Sequence, residues 1–140
     1  MTDTTHVNAN PAHFAAQLAT LPTEGPIVML NLLRFAERAT YPADHPDHGS
    51  DRSGREAYDH YKALMLPYMA EHVGAKTLVY THALATLIGP ADETWDEVLV
   101  VEYPSLETFT RMVGDPAYHR IGVHRTAALA DARLVAMKRP

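Results

Sequence analysis

Residues 26–35 are nearly all apolar, and residues 95–103 have an unbroken apolar centre. Apolar runs of this length without alternation predict strands that are covered on both faces. A third strand is predicted over residues 76–88, which are rich in Thr, Val and Tyr, and a short fourth strand over residues 134–137. The pattern therefore predicts four strands, two of which are buried on both sides.

Between these strands, apolar residues recur three and four positions apart, a spacing typical of amphipathic helices. The longest such segment contains Pro67, which predicts a kink, and it ends at Gly74, a residue suited to a left-handed cap. Residues 40–54 are rich in Pro, Asp, Gly and Ser and are predicted to form a loop. The predicted helices cover residues 11–20, 55–73, 105–114 and 115–130.

The order of elements after the first helix is β-α-β-β-α-β, with the second α in two pieces. This is the ferredoxin-like split β-α-β pattern of the α+β class, with a four-stranded antiparallel sheet. Helices cover one face of such a sheet, and a second copy of the chain is the simplest cover for the other. We therefore expect a homodimer with its sheets face to face. Residues 1–25 are expected to form an N-terminal extension with a short helix, and residues 26–140 the domain.

The composition narrows the class of partner. The 140 residues are 46% hydrophobic and 21% charged, the net charge is −5, and the 12 Lys and Arg residues are scattered. Nucleic acids and anionic membranes bind basic patches, so neither is expected as a partner. Cysteine is absent, which excludes disulfides, thiolate catalysis and cysteine-ligated metals. The sequence shows no signal peptide and no spanning segment, so a cytoplasmic location is expected, and no cofactor is predicted.

Several segments resemble one known family. They are VMLNLLRF, GREAYDHY, ALATLIGPADETWDEVLVVEYPS, MVGDPAYHRIGVHRTAAL and DARLVAM, which lie within residues 26–137. They resemble the domain-of-unknown-function family 1330. The resemblance implies a dimeric α/β barrel, in which two ferredoxin-like sheets pack together, and a small bound molecule. In one departure from the family pattern, Gly74 is followed by Ala75 rather than by a second glycine. Relatives by fold include cofactor-free monooxygenases, lactone isomerases, haem-binding enzymes and ligand sensors, so the fold does not select a function.

Arg125 is the first candidate for a functional site. Ile121, Arg125 and Leu129 are four residues apart and share one helix face, which points Arg125 towards the core. A guanidinium in that position holds a carboxylate, enolate or phenolate, or else it forms an ion pair with Glu102 or Asp131 or caps a helix with its donors. The resemblance also places Arg125 at the helical arginine of the family.

His124 and Asn31 complete the candidate catalytic group. His124 adjoins Arg125, whose charge is expected to lower the pKa of the imidazole and keep it neutral, as a general base requires. Asn31 interrupts an apolar strand and needs hydrogen-bond partners if it is buried. It either orients a ligand or a water in a cavity, or fixes the strand through a neighbouring loop.

Further candidate ligand-binding residues lie on the strands and on the last helix. Arg34 ends the first strand on the face opposite Asn31, where it either lies at the rim or shares an anionic group with Arg125. Tyr80 either lines a pocket or stacks in the core. The candidates in addition to Arg125 are Arg34, Tyr80, His82, Glu102 and Tyr118.

The loop sequence DHPDHGSD carries His45 and His48 among aspartates. Two histidines at this spacing with carboxylates nearby are able to bind zinc or nickel weakly. The spacing is not that of a helical zinc motif, and Pro46 prevents a regular helical turn. The segment is therefore interpreted as a hydrophilic loop, and no metal site is predicted.

These residues support two main hypotheses. One is a cofactor-independent enzyme of the isomerase or monooxygenase type, acting on a small, partly apolar carbonyl, phenolic or anionic compound between sheet and helices. The alternative is a dimer that binds or senses such a ligand without chemistry. A structural dimer with a filled core and a haem-binding protein are further hypotheses. Whether the chain is an enzyme is not decided by its sequence.

Overall fold

An open sheet of four antiparallel strands forms the centre of the protein, in the order β2-β3-β1-β4. The computed structural model describes residues 5–140. The strands are β1 Ile27–Phe35, β2 Lys76–His82, β3 Glu97–Tyr103 and β4 Leu129–Met137. The helices are α1 Pro11–Leu18, α2 Gly54–Tyr68, α3 Leu106–Val113 and α4 Pro116–Ala128. This arrangement confirms the predicted ferredoxin-like α+β fold with β1 and β3 at its centre. No helix within residues 5–140 is long and apolar enough to cross a membrane.

The side chains of the central strands alternate between two different environments. Ile27, Met29 and Leu33 of β1 are buried in the core beneath the helices, together with Val101 and Tyr103 of β3. The intervening residues point to the opposite face of the sheet, here called the outer face. Val28 on this face is buried, whereas six of its other aliphatic side chains lie outside the buried core, namely Leu30, Leu32, Val79, Val98, Val100 and Val135.

The second strand is shorter than the sequence predicts. β2 ends at His82, not at residue 88, because its partner β3 begins at Glu97, directly opposite His82. One further backbone bond joins the N–H of Ala83 to the carbonyl of Asp96 at 2.9 Å. Beyond that bond, the chain has no strand with which to pair, and its apolar residues leave the sheet.

The segment that leaves the sheet, residues 83–96, is here called the β2–β3 arm. Its Leu84, Leu87 and Ile88 side chains are exposed by 96%, 92% and 96%. Because these residues are apolar, the sequence predicts that the second strand continues through them. In the structure the same side chains form an exposed apolar surface on an arm.

The last strand is longer than the sequence predicts. β4 runs along the whole of β1 and reaches a pair between Phe35 and Leu129, across an irregularity between Arg34 and Phe35. Residues 129–133 therefore belong to the strand, and α4 ends at Ala128 instead of running to residue 130.

Helix α2 begins at a crowded point between the end of β1 and the end of α4. A Cβ at Gly54 would lie 2.1 Å from the carbonyl oxygen of Ala36 and 2.6 Å from that of Ala128, so only glycine fits. Ser53 and Glu56 form a reciprocal capping box at this terminus. At the other end, Pro67 is followed by a π-helical turn, Met69–Val73, and Gly74 closes it with a φ of 72°.

The N-terminal segment packs against the domain. The N–H of His6 donates to Asp131 at 2.8 Å, and the carbonyl of His6 accepts from Ala132 at 2.6 Å. Further along, the ring of Phe14 on α1 lies 6.3 Å from that of Phe109 on α3. Residues 5–25 thus contribute apolar side chains to the same core, while the division of the chain at residue 25 stays a prediction.

Candidate functional site

Glu97 is a buried carboxylate at the start of β3, with a relative exposure of 3%. It lies opposite Leu33 on one side and His82 on the other, so its side chain points towards the helices. The preceding residue fixes this position, because the N–H of Asp96 donates to the carbonyl of Leu33 and its carboxylate accepts from the N–H of Phe35. A buried carboxylate requires compensating partners.

Three proton-bearing side chains surround the Glu97 carboxylate. Arg55 Nη1 lies 2.9 Å from Oε2, His82 Nδ1 lies 3.1 Å from the same oxygen, and the Tyr80 hydroxyl donates to Oε1 at 2.5 Å. The Tyr80 hydroxyl in turn accepts from Lys62 Nζ at 2.8 Å. Hydrogen bonds join Lys62, Tyr80, Glu97 and Arg55, and His82 lies in close contact with the same carboxylate; these five residues are here called the Glu97 cluster.

The Glu97 cluster forms one wall of an open depression with a volume of about 380 Å³. The depression lies between the first half of α2 and the edge of the sheet, on the helix-covered side. His82 and Arg55 stand at its mouth with 74% and 51% of their side chains exposed. The lining residues are Arg55, Asp59, Lys62, Tyr80, Thr81, His82 and Glu97.

The surroundings of the cluster favour a neutral Tyr80 and a charged Lys62. Burial raises the pKa of Tyr80, and its hydrogen bond to Glu97 acts in the same direction, so the phenol remains protonated. Burial would lower the pKa of Lys62, but its hydrogen bonds to Tyr80 and Asp59 outweigh this and raise it. The guanidinium of Arg55 also lies over the ring of Phe35, 4.7 Å from its centroid. The depression therefore presents both cations and a carboxylate to a bound molecule.

Two of the residues singled out in the sequence, Tyr80 and His82, belong to this cluster. Sequence reasoning missed Glu97, Arg55 and Lys62. In the sequence, Glu97 is an acidic residue at the end of an apolar strand. A solvent-exposed strand end has the same pattern, so the pattern does not identify a buried carboxylate. For Arg55 and Lys62, which are seven residues apart on α2, the sequence does not indicate which strand the helix faces.

Arg125 lies on the core side of α4, as its spacing predicts, but does not line the depression. Its Nη1 donates to the carbonyl of Val7 at 3.0 Å, and it forms neither of the ion pairs considered above. Its charge reaches Tyr58 and Tyr61, where it opposes the rise in pKa that burial causes in both phenols. Arg125 thus ties the N-terminal segment to α4 in the midst of buried tyrosines, and a role in ligand binding stays a prediction.

Asn31 and Tyr118 also lie on the helix-covered side of the sheet. The Asn31 side-chain amide donates to the carbonyl of Leu99 at 3.2 Å, a bond between the two central strands. The ring of Tyr118 lies 6.4 Å from that of Tyr68, and Tyr118 also influences the pKa of Tyr61. Neither residue lines the Glu97 depression.

Arg34 and Glu102 are separated from the other candidates by the sheet. The pairing of Glu102 with Val28 and of Arg34 with Asp131 places both residues on the outer face. Glu102 forms an ion pair with Arg139, with Nε and Oε2 2.7 Å apart. Their proposed part in ligand binding therefore belongs to a different surface from the depression.

His124 belongs to a second polar cluster, at the loop after β1. Its Nδ1 lies 2.7 Å from the hydroxyl of Tyr41, which also accepts from Arg52 at 3.0 Å. Burial lowers the pKa of His124, and the nearby His45 lowers it further. The direction matches the sequence-based expectation, but these causes differ from the expected charge of Arg125.

A second depression, of about 570 Å³, lies at the other end of α2. There the Tyr68 hydroxyl donates to Asp115 Oδ2 at 2.6 Å. Burial and this bond raise the pKa of Tyr68 to about 12, while the same bond lowers that of Asp115. Asp115 also caps α4, since its carboxylate accepts from the N–H of Ala117, so the pair is explained by the joint between α2 and α4.

Solved structures resemble this protein over almost its full length. The RPA0582 protein of unknown function from Rhodopseudomonas palustris is 38% identical, with coverage of 98% of each chain and a TM-score of 0.84. A structure of methylated RPA0582 gives 39% identity, coverage of 99% of this chain and 97% of that one, and a TM-score of 0.85.

More distant structures share the fold. A dimeric protein of unknown function with a ferredoxin-like fold from Bacteroides fragilis is 13% identical, with a TM-score of 0.52 over 84% of this chain and 100% of that one. A protein from Caulobacter crescentus, named a "putative antibiotic biosynthesis monooxygenase", is 13% identical, with a TM-score of 0.54 over 84% and 92%.

Comparison with curated proteins finds no match. The family model described as "Domain of unknown function (DUF1330)" matches residues 51–139, which include α2 with Arg55 and Lys62 and the strands that carry Tyr80, His82 and Glu97. The chain belongs to the DUF1330 family, as its motifs suggested, and has the ferredoxin-like fold of these relatives.

Proposed function

We propose that this protein binds a small, partly apolar compound carrying a carbonyl, phenolic or anionic group in the depression beside Glu97. The observation that carries the proposal is the Glu97 carboxylate itself, 3% exposed and held by side chains at the wall of an open depression. Arg55 and Lys62 supply cationic donors for the polar group of the ligand.

The depression is also suited to proton transfer. His82 Nδ1 lies 3.1 Å from the Glu97 carboxylate, which accepts but does not donate, so this contact favours the tautomer with its proton on Nδ1 and its lone pair on Nε2. A base at this position removes a proton from a carbon next to a carbonyl, and Arg55 stabilises the negative charge that develops on oxygen. Returning the proton to a different atom completes an isomerisation. A monooxygenase reaction would need dioxygen as a second substrate.

Phenylpyruvate tests both binding and proton transfer, because it is partly aromatic, carries a carboxylate and exchanges between keto and enol forms. We expect it to bind, and Arg55→Ala to raise the dissociation constant at least tenfold, a loss of about 1.4 kcal/mol or more. The measurement is titration calorimetry. Arg38→Ala is the matched control, since Arg38 is an exposed arginine paired with Asp51 outside the depression.

The same titration separates the depression from the site that the sequence suggested. If Arg125→Ala abolishes binding and Arg55→Ala does not, the ligand lies beside Arg125 and our assignment of the site is wrong. Absence of binding to the unmodified protein, for phenylpyruvate and for 4-hydroxybenzoate alike, would contradict the proposal as a whole.

His82→Gln distinguishes an enzyme from a ligand sensor. An enzyme of the isomerase type loses keto–enol exchange of phenylpyruvate in this variant, while the dissociation constant changes little. A non-catalytic binding protein shows no exchange above the buffer rate in either form. Exchange is followed by ultraviolet absorbance of the enol.

We propose further that two copies of the chain pair through the outer face of the sheet. Six aliphatic side chains of that face lie outside the buried core, and of these Val79 and Val135 are 42% and 47% exposed. The exposed Leu84, Leu87 and Ile88 of the β2–β3 arm add apolar surface of the kind that partners cover. A B. fragilis protein with the same fold is itself described as dimeric.

Val100→Lys tests the pairing, because it places a charge at the centre of the outer face. We expect the unmodified chain to sediment as a dimer at micromolar concentration and this variant as a monomer. Leu66→Lys is the control, since Leu66 is 69% exposed on α2, and it should remain dimeric. A monomeric unmodified chain would contradict the proposed dimer without affecting the test of ligand binding.

A further inference from the structure

The loop after β1 carries imidazole and carboxylate groups to the surface of α4. Hydrogen-bonded turns at residues 42–45 and 45–48 fold the loop back, so that His45 and Asp47 face His124. One ligand atom from each of these three residues lies within 4.8 Å of the other two. The rings of His45 and His124 meet edge to face, with their centroids 5.6 Å apart.

We propose that His45, Asp47 and His124 form a binding site for one divalent transition-metal ion, with zinc as the best match. Zinc favours imidazole nitrogen and carboxylate oxygen and commonly takes three protein ligands and a water in tetrahedral geometry. Bonds of about 2.1 Å place such ligand atoms roughly 3.4 Å apart, so the side chains need to close by only about an ångström.

The surrounding contacts orient two of the three ligands. The Tyr41 hydroxyl lies 2.7 Å from Nδ1 of His124, which leaves Nε2 as the ligand atom, an arrangement common in metal sites. Arg52 bonds Oδ2 of Asp47 at 3.0 Å, the oxygen that also lies 3.9 Å from Nδ1 of His45. Arg52 also donates to the Tyr41 hydroxyl, so one cation contacts Asp47 directly and His124 through Tyr41.

Two features limit the affinity of this site. The N–H of Asp47 donates to Nδ1 of His45 at 3.0 Å, so the neutral imidazole carries its proton on Nε2. A metal at Nδ1 replaces this hydrogen bond directly. A metal at Nε2 moves the proton to Nδ1, which then no longer accepts from the N–H of Asp47. Arg52 also offsets the charge of Asp47 before an ion arrives. We therefore expect micromolar rather than nanomolar binding.

The tertiary pairing differs from the one that the sequence suggested. His48 follows His45 in the loop, but its Nδ1 lies 2.9 Å from the carbonyl of Tyr41 and it is not among the three converging ligands. The partner of His45 is His124, 79 residues further along the chain. None of the three residues lines the depression beside Glu97, so the metal site and the proposed ligand site are independent.

Calorimetric titration of the untagged protein with zinc chloride tests the site. We expect one ion per chain, and at least tenfold weaker binding in each of His45→Gln, Asp47→Asn and His124→Gln. His48→Gln is the matched control in the same loop and should bind zinc as the unmodified chain does. Thermal unfolding without metal identifies any variant that fails to fold, and Asp47→Asn, the most conservative change, keeps the test valid if a histidine variant does not fold.

Several results would overturn the assignment. One is a stoichiometry other than one zinc ion per chain, and another is an unchanged affinity for zinc in the His124→Gln variant. A loss of affinity in His48→Gln equal to that in the other variants would also contradict it, because it would indicate that scattered surface histidines bind the zinc. Phenylpyruvate binding serves as a cross-check, because it should be unaffected by His124→Gln. Failure of zinc to bind would leave the depression beside Glu97 untouched, and failure of phenylpyruvate to bind would leave the metal site untouched.

Discussion

Two carboxylates, Glu97 and Asp131, are buried at the same end of the sheet, one on each face. They are 3% and 6% exposed, and they lie opposite Leu33 and Arg34, which are neighbours on β1. Among residues 5–140, Glu97 is held by side chains alone, with hydrogen bonds from Arg55 and Tyr80 and with His82 Nδ1 3.1 Å away. Asp131 instead accepts from the backbone N–H of His6 at 2.8 Å and from that of Ala132 at 2.9 Å, with Arg133 as its one side-chain partner.

Because its partners are side chains, Glu97 is able to exchange them for a ligand, whereas the backbone partners of Asp131 are fixed. Arg55 and His82 are half or more exposed, so rotation of their side chains is enough to bring them from Glu97 to a ligand. Backbone amides cannot turn away without moving the chain, so Asp131 serves to hold the N-terminal segment against β4. We expect changes near Glu97 to affect binding most, and changes at Asp131 to affect stability most.

The largest expected effect is that of Gly54→Ala, which should disturb the surroundings of both Glu97 and Asp131. The added methyl group meets the backbone of Ala36 and Ala128, which cannot move without shifting the end of β1 and the start of β4. We expect a loss of about 3 kcal/mol or more in the free energy of unfolding, measured by urea denaturation. Gly122→Ala on α4 is the control, because its Cβ meets nothing within 4 Å and the change should stabilise the helix by about 0.5–1 kcal/mol. Equal effects of the two substitutions would contradict this account.

Asp131→Ala should have the next largest effect. It removes the acceptor for the His6 N–H and leaves Arg133 without its closest carboxylate, at a cost of about 1–3 kcal/mol. We also expect limited proteolysis to cut within residues 5–25 more quickly. Asp51→Ala, which removes a 97% exposed carboxylate, should change stability by less than about 0.5 kcal/mol. A resistant N-terminal segment in Asp131→Ala would show that Asp131 is not its anchor.

A double-mutant cycle measures how tightly the Glu97 cluster is coupled. Tyr80→Phe removes the hydroxyl that joins Lys62 to the carboxylate, and Glu97→Gln removes the charge. We expect an interaction energy of about 1 kcal/mol between the two substitutions from urea unfolding. Additive effects would mean that the short contact between Tyr80 and Glu97 contributes nothing to stability.

The smallest expected effect is in the acid dependence of stability. Burial alone would raise the pKa of Asp131, but hydrogen bonds from His6, Arg133 and Ala132 lower it below its ordinary value. A carboxyl group with a lowered pKa contributes stability that is present above about pH 3.9 and is lost as the pH falls through its folded-state value. The gap between the unmodified chain and Asp131→Ala should therefore narrow below about pH 3.9. A gap that stays constant down to pH 3 would contradict the lowered pKa.

The sequence predicted the fold because the fold depends on local patterns. The apolar runs of β1 and β3 identified the central strands, and the predicted helices 105–114 and 115–130 begin at Ser105 and Asp115, the residues that cap α3 and α4 in the structure. Strand ends were less predictable, since β2 stops where its partner begins and β4 continues as far as β1 allows. An apolar segment such as Leu84 to Ile88 has the composition of a strand whether or not a neighbour is present to pair with it.

The Glu97 cluster and the proposed metal site could not be predicted from local patterns, because their residues lie far apart in the chain. The sequence pointed to Tyr80, His82 and His124 as side chains with chemistry, but it grouped His124 with Arg125 and His45 with His48, because these are neighbours in the chain. The structure joins residues 42 positions apart in Arg55 and Glu97, and brings His45 beside His124. Periodicity thus determined which face each residue occupies, whereas only the packing of α2 and the loop against the sheet and α4 decided which polar groups meet.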